Sequence, residues 1–459
     1  MSIITTSQKI HFIGIGGIGM SALARMFLGE GKQVSGSDRA SSFVTEELEK
    51  LGVKIFYQQV AENIAPDIDL VVYTIAIPDD NPELVTAHTK GITCLTYPQA
   101  LGLISAEKYT IAIAGTHGKT TTTAMVAEMM LAADLSPTVV VGSLLKSKSV
   151  DDAFSGGTNF IAGNSEYLVV EACEYQRSFL NLSPKIAVIT NIDNDHLDYY
   201  KDLVDIQSAF AEFASKVPAD GFVICDKNDP RLKPVLAQAK ATIIDYKKYF
   251  EKISAFGLTV PGRHNLLNAS AVLAVGETLQ IDEKVAIEAL RDFAGTWRRF
   301  EFKGEMETGA LVYDDYAHHP TELEATLSGA REFMAEREMT GKLIAVFQPH
   351  LYSRTKILKE DFADKLALAD EIILAPIYAA REPADPTISS EILAGAIAVK
   401  NPNVRALTSF VEIAEALKTE TGEGDLIMTI GAGDIYKVGE EMKVNPVRNG
   451  DFHTLKVTK

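Results

Sequence analysis

Residues 115–121 (GTHGKTT) carry the residue types that bind a triphosphate. Glycines let backbone N–H groups surround a phosphate, Lys119 supplies a compact positive charge, and the Thr120 hydroxyl can face Mg²⁺. Two residues separate Gly115 from Gly118, fewer than in the standard P-loop. The segment predicts a compact loop for a mononucleotide triphosphate. Its predicted binding residues are Gly115, Thr116, His117, Gly118, Lys119, Thr120 and Thr121.

Another glycine-rich loop, residues 14–19 (GIGGIG), follows an apolar run that predicts the first strand. Glycines there allow a tight turn and a close approach of the backbone to a diphosphate at the start of the next helix. Asp38 lies 19 residues after Gly19, where a carboxylate can accept hydrogen bonds from ribose hydroxyls. Taken alone, the loop favours NAD or FAD, but it specifies only a nucleotide diphosphate.

Acidic and histidine side chains follow two other predicted strands. Glu171 ends the strand at 167–170 and His196 follows the strand at 186–190, so both are expected to face the loop 115–121. Phosphoryl transfer from ATP needs a metal that neutralises the charge of the transferred group. We therefore predict a Mg²⁺ site at these strand ends.

Farther along the chain, four polar blocks have nucleotide- or anion-binding residue types: GRHNLLN, RRFE, DDYAHHP and QPHLYSRT, at 262–268, 298–301, 314–320 and 348–355. Asn side chains can pair with adenine, and Arg side chains provide planar forks for phosphate or carboxylate. His318 and His319 could instead be zinc ligands, but no third ligand stands at zinc-site spacing. Cys173 is predicted to be a small buried side chain beside the metal site.

Short β-branched runs alternate with helical stretches, which is typical of parallel sheets covered by helices. The predicted strands are 9–13, 33–37, 70–74, 110–114, 167–170, 186–190, 222–225, 310–313, 343–347, 371–374 and 425–430. Helices are predicted at 265–279 and 282–293, and a hinge at 105–108. The pattern predicts an α/β protein of three open sheets, in which ligands bind at the carboxyl ends of the strands.

The length of 459 residues suggests three domains at roughly 150 residues each. A hydrophobic content of 46% and a charged content of 23% are typical of globular proteins. The net charge of −18 argues against nucleic acid and anionic membrane as partners. The three cysteines are scattered, and the N-terminus lacks the basic region of a secretory signal. There is also no apolar run of ~18 residues. These features predict a cytoplasmic location.

In this combination, the motifs resemble the Mur ligase family. The resemblance runs from residues 11–17 to residues 431–435, and GTHGKTT, GRHNLLNA, RRFE, DDYAHHPTE and FQPHLYSRT occur in that family's order. It implies a Rossmann-like N-terminal domain for a UDP-sugar (1–107), a central P-loop ATPase domain (108–297) and a Rossmann-like C-terminal domain for an amino acid (298–459).

The resemblance also implies a reaction. The carboxylate of UDP-N-acetylmuramate would attack the γ-phosphate of ATP, and the amine of L-alanine would then attack the resulting acyl phosphate. The phrase FQPHLYSRT favours the members that add L-alanine over siblings that attach a murein tripeptide. ATP and two Mg²⁺ are the implied cofactors, and the chain is expected to be a monomer or a weak dimer.

Residue roles follow from the matching motif positions. The implied catalytic residues are Lys119, His196, Arg299 and Arg354. The implied metal ligands are Thr120, Glu171 and His196. On the adenosine side of ATP, the implied contacts are His264, Asn268 and Asp315. The implied UDP-sugar contacts are Gly16, Gly17, Ile18, Gly19, Asp38, Thr74 and Ala76, and those of the amino acid are Tyr316, His318 and Arg354.

This chain departs from the family pattern at two places. Residues 171–175 read EACEY where the family commonly has EADES, and Leu351 stands where an arginine is common. Two other classes of function stay open. An NAD-linked oxidoreductase would leave the loop 115–121 unexplained, and a regulatory nucleotide-binding protein would be free to lose Lys119, Glu171, His196 and Arg354.

Overall fold

The computed structural model describes residues 2–145, 158–196, 199–380 and 382–442. Among them, the residues up to Leu258 together with Leu266–Ala294 form one compact unit. Thr259–Asn265 and the residues from Gly295 onward form another. The first unit contains two sheets and the second unit contains one.

The N-terminal sheet of the first unit has five parallel strands in the order β3-β2-β1-β4-β5. They are β1 (Lys9–Ile13), β2 (Gln33–Ser37), β3 (Lys54–Phe56), β4 (Leu70–Tyr73) and β5 (Thr93–Thr96). The helices are α1 (Ile3–Thr6), α2 (Ile18–Gly29), α3 (Phe43–Lys50), α4 (Pro82–Thr89) and α5 (Tyr97–Ala106), with a 3₁₀ turn at Ala61–Asn63. The strand order reverses between β1 and β4, and a crevice forms after the carboxyl ends of such strands.

The central sheet has the order β12-β11-β10-β6-β9-β7-β8, with β8 antiparallel to β7. Its strands are β6 (Tyr109–Ala114), β7 (Thr138–Leu145), β8 (Thr158–Ile161), β9 (Tyr167–Glu171), β10 (Ile186–Ile189), β11 (Phe222–Cys225) and β12 (Thr242–Asp245). The helices are α6 (Lys119–Ala132), α7 (Leu203–Ser215), α8 (Lys233–Leu236), α9 (Phe250–Phe256), α10 (Arg263–Thr278) and α11 (Glu283–Arg291), with 3₁₀ turns at Tyr175–Asn181 and Tyr246–Tyr249. Because β6 lies between β10 and β9, the loops after these three strands converge.

One hydrophobic core extends through both sheets of the first unit. It includes Phe12 and Phe27 of the N-terminal sheet region and Val170 and Phe210 of the central one. Helix α2 packs against β7 and β8. The side-chain amide of Asn159 on β8 donates hydrogen bonds to the Ile18 carbonyl and the Ser21 hydroxyl at the start of α2. The two sheets are therefore joined by packing and by hydrogen bonds.

The sheet of the second unit has the order β13-β14-β18-β15-β16-β17, with β13 antiparallel to β14. Its strands are β13 (Glu301–Glu305), β14 (Leu311–Asp315), β15 (Leu343–Phe347), β16 (Glu371–Leu374), β17 (Val404–Ala406) and β18 (Leu426–Ile430). The helices are α12 (Pro320–Glu336), α13 (Tyr352–Ile357), α14 (Lys359–Leu366), α15 (Ser390–Ala398), α16 (Phe410–Glu420) and α17 (Lys437–Glu441).

The predicted α/β class and the three sheets are confirmed. Every predicted strand is present, and the ends differ by two residues at most. The predicted hinge at 105–108 is wrong in its first half, because Ser105 and Ala106 end helix α5. The Ser105 hydroxyl is buried and accepts a hydrogen bond from the Ser183 N–H. Within the described ranges, each helix is too short or too polar to span a bilayer.

Candidate active site

The loop 14–19 joins β1 to α2 and is bonded to the end of β2. The N–H of Gly14 donates to the carbonyl of Ser37 at 2.8 Å, and the N–H of Gly16 donates to Asp38 Oδ2 at 2.8 Å. Helix α2 begins without a hydrogen bond from a capping side chain. Its first N–H groups can therefore bind an anion, as the sequence predicts.

Glycines in this loop allow two other segments to approach closely. A Cβ atom on Gly14 would lie 2.6 Å from Thr74 Cγ2, and one on Gly19 would lie 2.5 Å from Cζ of Tyr97. Thr74 directly follows β4, and its hydroxyl accepts a hydrogen bond from the exposed Ala76. Thr74 thus lies beside the loop, and Tyr97 is a neighbour that the sequence motifs do not predict.

Asp38 and the start of α2 are fixed by hydrogen bonds. Besides the loop, Asp38 accepts a hydrogen bond from the N–H of Arg39 at 2.7 Å, so each carboxylate oxygen has a backbone donor. Gly17 is the N-cap residue of α2, and Ile18 is its first residue. The ribose contact proposed for Asp38 stays a prediction.

The loop 115–118 joins β6 to α6 and has two glycines in the left-handed region, with φ of 135° at Gly115 and 82° at Gly118. A Cβ on Gly115 would lie 2.0 Å from the Thr190 hydroxyl oxygen, after β10. A Cβ on Gly118 would lie 2.6 Å from Asn268 Oδ1. Any residue larger than glycine at position 115 or 118 would therefore collide with these atoms. The short distance at Gly118 also shows that Asn268, on α10, lies against the loop.

The middle of this loop is bonded to the segment after β10. The N–H of Thr116 donates to the Asn191 carbonyl at 3.1 Å, and the N–H of His117 donates to Asn191 Oδ1 at 2.9 Å. His117 Nε2 lies 3.4 Å from Asp193 Oδ2. Thr121 is buried in the first turn of α6.

Lys119, at the start of α6, lies in a pocket of oxygen atoms. Its Nζ donates to the carbonyls of Gly115 and Thr116 at 2.6 and 2.9 Å. It lies 3.0 and 2.9 Å from the two carboxylate oxygens of Glu174. His196 Nε2 lies 3.4 Å from Glu174 Oε1, so one carboxylate joins two predicted catalytic residues.

Glu174 has a side chain only 2% exposed, and its charge is compensated by these two partners. Burial raises the pKa of Glu174, but Lys119 and His196 outweigh it and bring that pKa below its usual value. Burial acts to lower the pKa of Lys119. Glu174, Cys173 and Glu171 act to raise it and outweigh burial, so the pKa lies above its ordinary value. The pair is therefore ionised at neutral pH.

Glu171 and Thr120 form the part of the site that fits a divalent cation. The Thr120 hydroxyl donates to Glu171 Oε1 at 3.1 Å, and the N–H of Gly142 donates to Glu171 Oε2 at 2.9 Å. Hydroxyl and carboxylate oxygens are the donors that Mg²⁺ prefers. Cys173 is exposed, so the prediction of a buried thiol beside this site is wrong. Residues 172–174 follow the end of β9 as a loop, which exposes the Cys173 side chain.

In the second unit, the two arginines of the RRFE block have different environments. Arg298 is buried and donates to Asp314 Oδ2 at 2.6 Å and to the carbonyls of Gly433 and Gly431 at 2.7 and 2.6 Å. Arg299 is only partly buried. Arg298 therefore stabilises the fold, and Arg299 remains the predicted phosphate-binding arginine.

His264 is partly buried near Arg299 in the second unit. Burial and the positive charge of Arg299 lower the pKa of His264 to about 4, against a smaller opposing effect of Glu322. His264 is therefore neutral at pH 7, as suits a side chain that contacts a base.

Asp315 lies at the end of β14 and is buried. Its carboxylate accepts hydrogen bonds from the N–H groups of Phe300 and Ala317, both at 2.8 Å, and from the Thr326 hydroxyl at 3.1 Å. These hydrogen bonds give Asp315 a structural role. Its contact with the ribose of ATP stays a prediction.

The predicted amino-acid contacts are neighbours at the carboxyl ends of β14 and β15. The rings of Tyr316 and His318 have centroids 5.5 Å apart, and those of His318 and His350 are 6.0 Å apart. Arg354 Nη1 lies 3.5 Å from His350 Nδ1, and the His350 ring stacks on Tyr378. His350 thus links His318 to Arg354, a role that its motif position alone does not indicate.

Comparison with known proteins agrees with this architecture. The catalytic domain of the Mur ligase family matches residues 9–109, the Mur ligase middle domain matches 113–276, and the Mur ligase glutamate ligase domain matches 298–433. The three matches follow the three sheets. The chain belongs to the Mur ligase family.

Particular relatives extend over nearly the whole chain. A UDP-N-acetylmuramate–L-alanine ligase of Clostridium novyi is 44% identical over 95% of this chain and 97% of its own length. The crystal structure of UDP-N-acetylmuramate-alanine ligase from Thermotoga maritima has a TM-score of 0.76 and 30% identity, covering 95% of this chain and 98% of that one. A murein peptide ligase from Psychrobacter arcticus has a TM-score of 0.68 and 25% identity, covering 96% of this chain and all of that one.

Proposed function

We propose that this chain is an ATP-dependent ligase of peptidoglycan precursor synthesis that joins L-alanine to the carboxylate of UDP-N-acetylmuramate. The observation that carries the proposal is that one compact unit contains two glycine loops, 14–19 and 115–118, each joining a strand to a helix that begins without a capping side chain, at the ends of two sheets with a common core. A ligase of this kind needs both a sugar nucleotide and a triphosphate. The 44% identity over nearly the full length supports the particular substrates.

The reaction proceeds in two steps. A carboxylate oxygen of UDP-N-acetylmuramate attacks the γ-phosphorus of ATP, and ADP leaves. The amine of L-alanine then attacks the carbonyl carbon of the acyl phosphate, and the tetrahedral intermediate expels inorganic phosphate as the amine loses a proton. ATP is needed because a carboxylate oxygen is a poor leaving group until it carries the phosphoryl group.

The first unit supplies the groups for phosphoryl transfer. The N–H groups at the start of α6, which has no capping side chain, bind phosphate oxygens, and Lys119 neutralises charge on the β- and γ-phosphates. Glu174 fixes Lys119 and His196 relative to each other. Preorganised charges of this kind lower the barrier because they need no rearrangement as the reaction proceeds.

Thr120 and Glu171 are the proposed ligands of one Mg²⁺, and His196 is the proposed ligand of a second. Bound there, Mg²⁺ would neutralise negative charge on the phosphate oxygens of ATP. The contact between the Thr120 hydroxyl and Glu171 supports the first site, because it brings two oxygen donors together.

Side chains of the second unit suit the amino acid. Arg354 offers a planar fork for its carboxylate, and His350 orients that guanidinium. Tyr316 and His318 are the neighbouring aromatic groups. Since Leu351 replaces a common arginine, Arg354 binds the carboxylate without that second guanidinium.

Phosphate release is the experiment that tests the proposed function. The purified chain is mixed with ATP, Mg²⁺ and UDP-N-acetylmuramate, and phosphate is measured after adding each free amino acid in turn. We expect release to require all components and to be fastest with L-alanine, with glycine and L-serine reacting at higher concentrations. A single methylene is worth ~1–3 kcal/mol, so incomplete discrimination is expected.

The likeness to a murein peptide ligase structure supports one second candidate, the attachment of a preformed tripeptide. The same assay separates the two, with L-alanyl-γ-D-glutamyl-meso-diaminopimelate as the competing acceptor. If the tripeptide outcompetes L-alanine, the proposed function is wrong. NAD binding that uridine nucleotides do not displace would favour an oxidoreductase instead.

A further inference from the structure

Tyr97 is the first residue of α5 and packs against the loop 14–19. A Cβ on Gly19 would lie 2.5 Å from its Cζ and 2.7 Å from its hydroxyl oxygen, so the ring rests directly on the Gly19 backbone. The negative charge of Glu171, at the end of β9, also acts on the Tyr97 hydroxyl.

The local sequence fixes Tyr97 in this place. The Thr96 hydroxyl accepts a hydrogen bond from the Gln99 N–H, and the Gln99 side chain accepts one from the Thr96 N–H, which forms a capping box. Pro98 restricts the backbone in the first turn of α5. The ring packs against the hydrophobic core that the two sheets share.

The Tyr97 hydroxyl has no hydrogen-bond partner among the residues that the structure describes. A phenol has an ordinary pKa of about 10, so the hydroxyl is protonated at neutral pH and can donate a hydrogen bond. The hydroxyl oxygen is not fully enclosed, so water or a ligand oxygen can reach it and accept its hydrogen bond.

We propose that Tyr97 donates a hydrogen bond to a diphosphate oxygen of the sugar nucleotide, at the start of α2. Gly19 is the second residue of that helix, whose first N–H groups have no capping side chain. An oxygen that accepts from these N–H groups lies beside Gly19, which is where the Tyr97 hydroxyl is. The inference rests on the proposed function, because it takes a uridine diphosphate sugar as the ligand.

Calorimetric titration of Tyr97→Phe tests this contact. Loss of one hydrogen bond to a charged oxygen is expected to weaken binding of UDP-N-acetylmuramate and of UDP by roughly 10- to 100-fold. Binding of uridine, which has no phosphate, is expected to be the same as in the parent protein. In the ligase assay, the KM for UDP-N-acetylmuramate rises by a similar factor while the KM for ATP is unchanged.

Two further variants serve as controls. Tyr109→Phe changes a tyrosine at the start of β6, whose ring packs on Tyr167, and is expected to bind all three ligands like the parent. Gly19→Ala moves the Tyr97 ring and is expected to weaken UDP binding as well. If the parent binds UDP and Tyr97→Phe binds it equally well, the inference is wrong and the proposed function stands. If the parent binds no uridine nucleotide, the proposed function is wrong, and the inference with it.

Discussion

Lys119 and Glu174 form a buried ion pair at the base of the loop 115–118, with Lys119 Nζ 2.9 Å from Glu174 Oε2. The lysine comes from the start of α6 and the glutamate from the segment after β9. His196 approaches the same carboxylate from the segment after β10. Three neighbouring strands of the central sheet are thereby connected at their carboxyl ends.

The first prediction concerns this pair. Lys119→Met is expected to lower turnover by about 10²–10³-fold, because a preorganised charge is lost. It is also expected to lower the free energy of unfolding by about 3 kcal/mol, because Glu174 loses a charged partner while buried. Phosphate release and urea unfolding measure the two effects. The double variant Lys119→Met/Glu174→Gln should regain stability without activity, and equal instability of both variants would contradict the account.

Glu171→Gln tests the metal site. The amide is a weaker ligand than the carboxylate, so the Mg²⁺ concentration for half-maximal activity is expected to rise several-fold. His196→Ala is expected to act in the same direction. Glu166 is exposed and directly precedes β9, at the opposite end of the strand from Glu171. Glu166→Gln is therefore the matched control and should leave the Mg²⁺ titration unchanged. Unchanged titrations for both site variants would remove Glu171 and His196 from the metal site.

The two arginines of the RRFE block should differ in what they affect. Arg298→Met leaves Asp314 buried without its ion-pair partner, so we expect unfolding free energy to fall by about 3–5 kcal/mol. Arg299→Met is expected to reduce phosphate release with little change in stability. Denaturant unfolding and the ligase assay on both variants check the difference. The reverse pattern would show that the structural and functional assignments are exchanged.

His264 provides a prediction about pH. Its pKa in the folded protein is about 4 and its ordinary value is 6.5, so between these pH values the unfolded chain binds more protons. The stability that neutral His264 contributes is therefore complete above about pH 6.5 and is lost as the pH falls toward 4. The stability difference between the parent and His264→Gln should shrink over this range in urea unfolding.

An NMR titration checks the cause of that shift. Burial is the larger cause of the low His264 pKa and Arg299 is the smaller one, so Arg299→Gln is expected to raise this pKa only part of the way to the ordinary value. A His264 pKa near 6.5 in the parent would contradict this account of its environment.

Arg354→Lys should lose most activity although the charge is kept. An ammonium group cannot form the two parallel hydrogen bonds by which a guanidinium orients a carboxylate. We expect a higher KM for L-alanine and a lower kcat. Arg337→Lys changes an exposed arginine on Phe333 and serves as the control. Parent-like kinetics of Arg354→Lys would show that another group orients the amino acid.

The sequence predicts the central strands well because they are short, apolar and β-branched, as in 222–225 and 343–347. It does not predict β3, β5, β12, β13 and β17, which are edge strands with few buried positions and therefore a weaker pattern. It also does not predict β7 and β8, although most of their residues are buried. The prediction of a hinge at 105–108 is wrong in its first half because Ser105, although polar, lies at the end of helix α5 and accepts hydrogen bonds from Thr110 and Ser183 inside the fold.

The glycine loops are predictable because conformation and close approach restrict those positions to glycine. The role of Glu174 depends on a contact between segments 55 residues apart in the chain, which spacing does not specify. Tyr97 and His350 were missed for the same reason. The EACEY segment contains one clue, since its fourth position keeps the carboxylate while the third does not.

Oxygen transfer tests the central claim most directly. UDP-N-acetylmuramate with ¹⁸O in its carboxylate is incubated with the chain, ATP, Mg²⁺ and L-alanine, and the released phosphate is analysed by mass spectrometry. If the carboxylate attacks ATP to form an acyl phosphate, each phosphate released with a new amide bond contains one ¹⁸O atom. Phosphate without ¹⁸O, or phosphate formed at the same rate without L-alanine, would contradict the ligase mechanism.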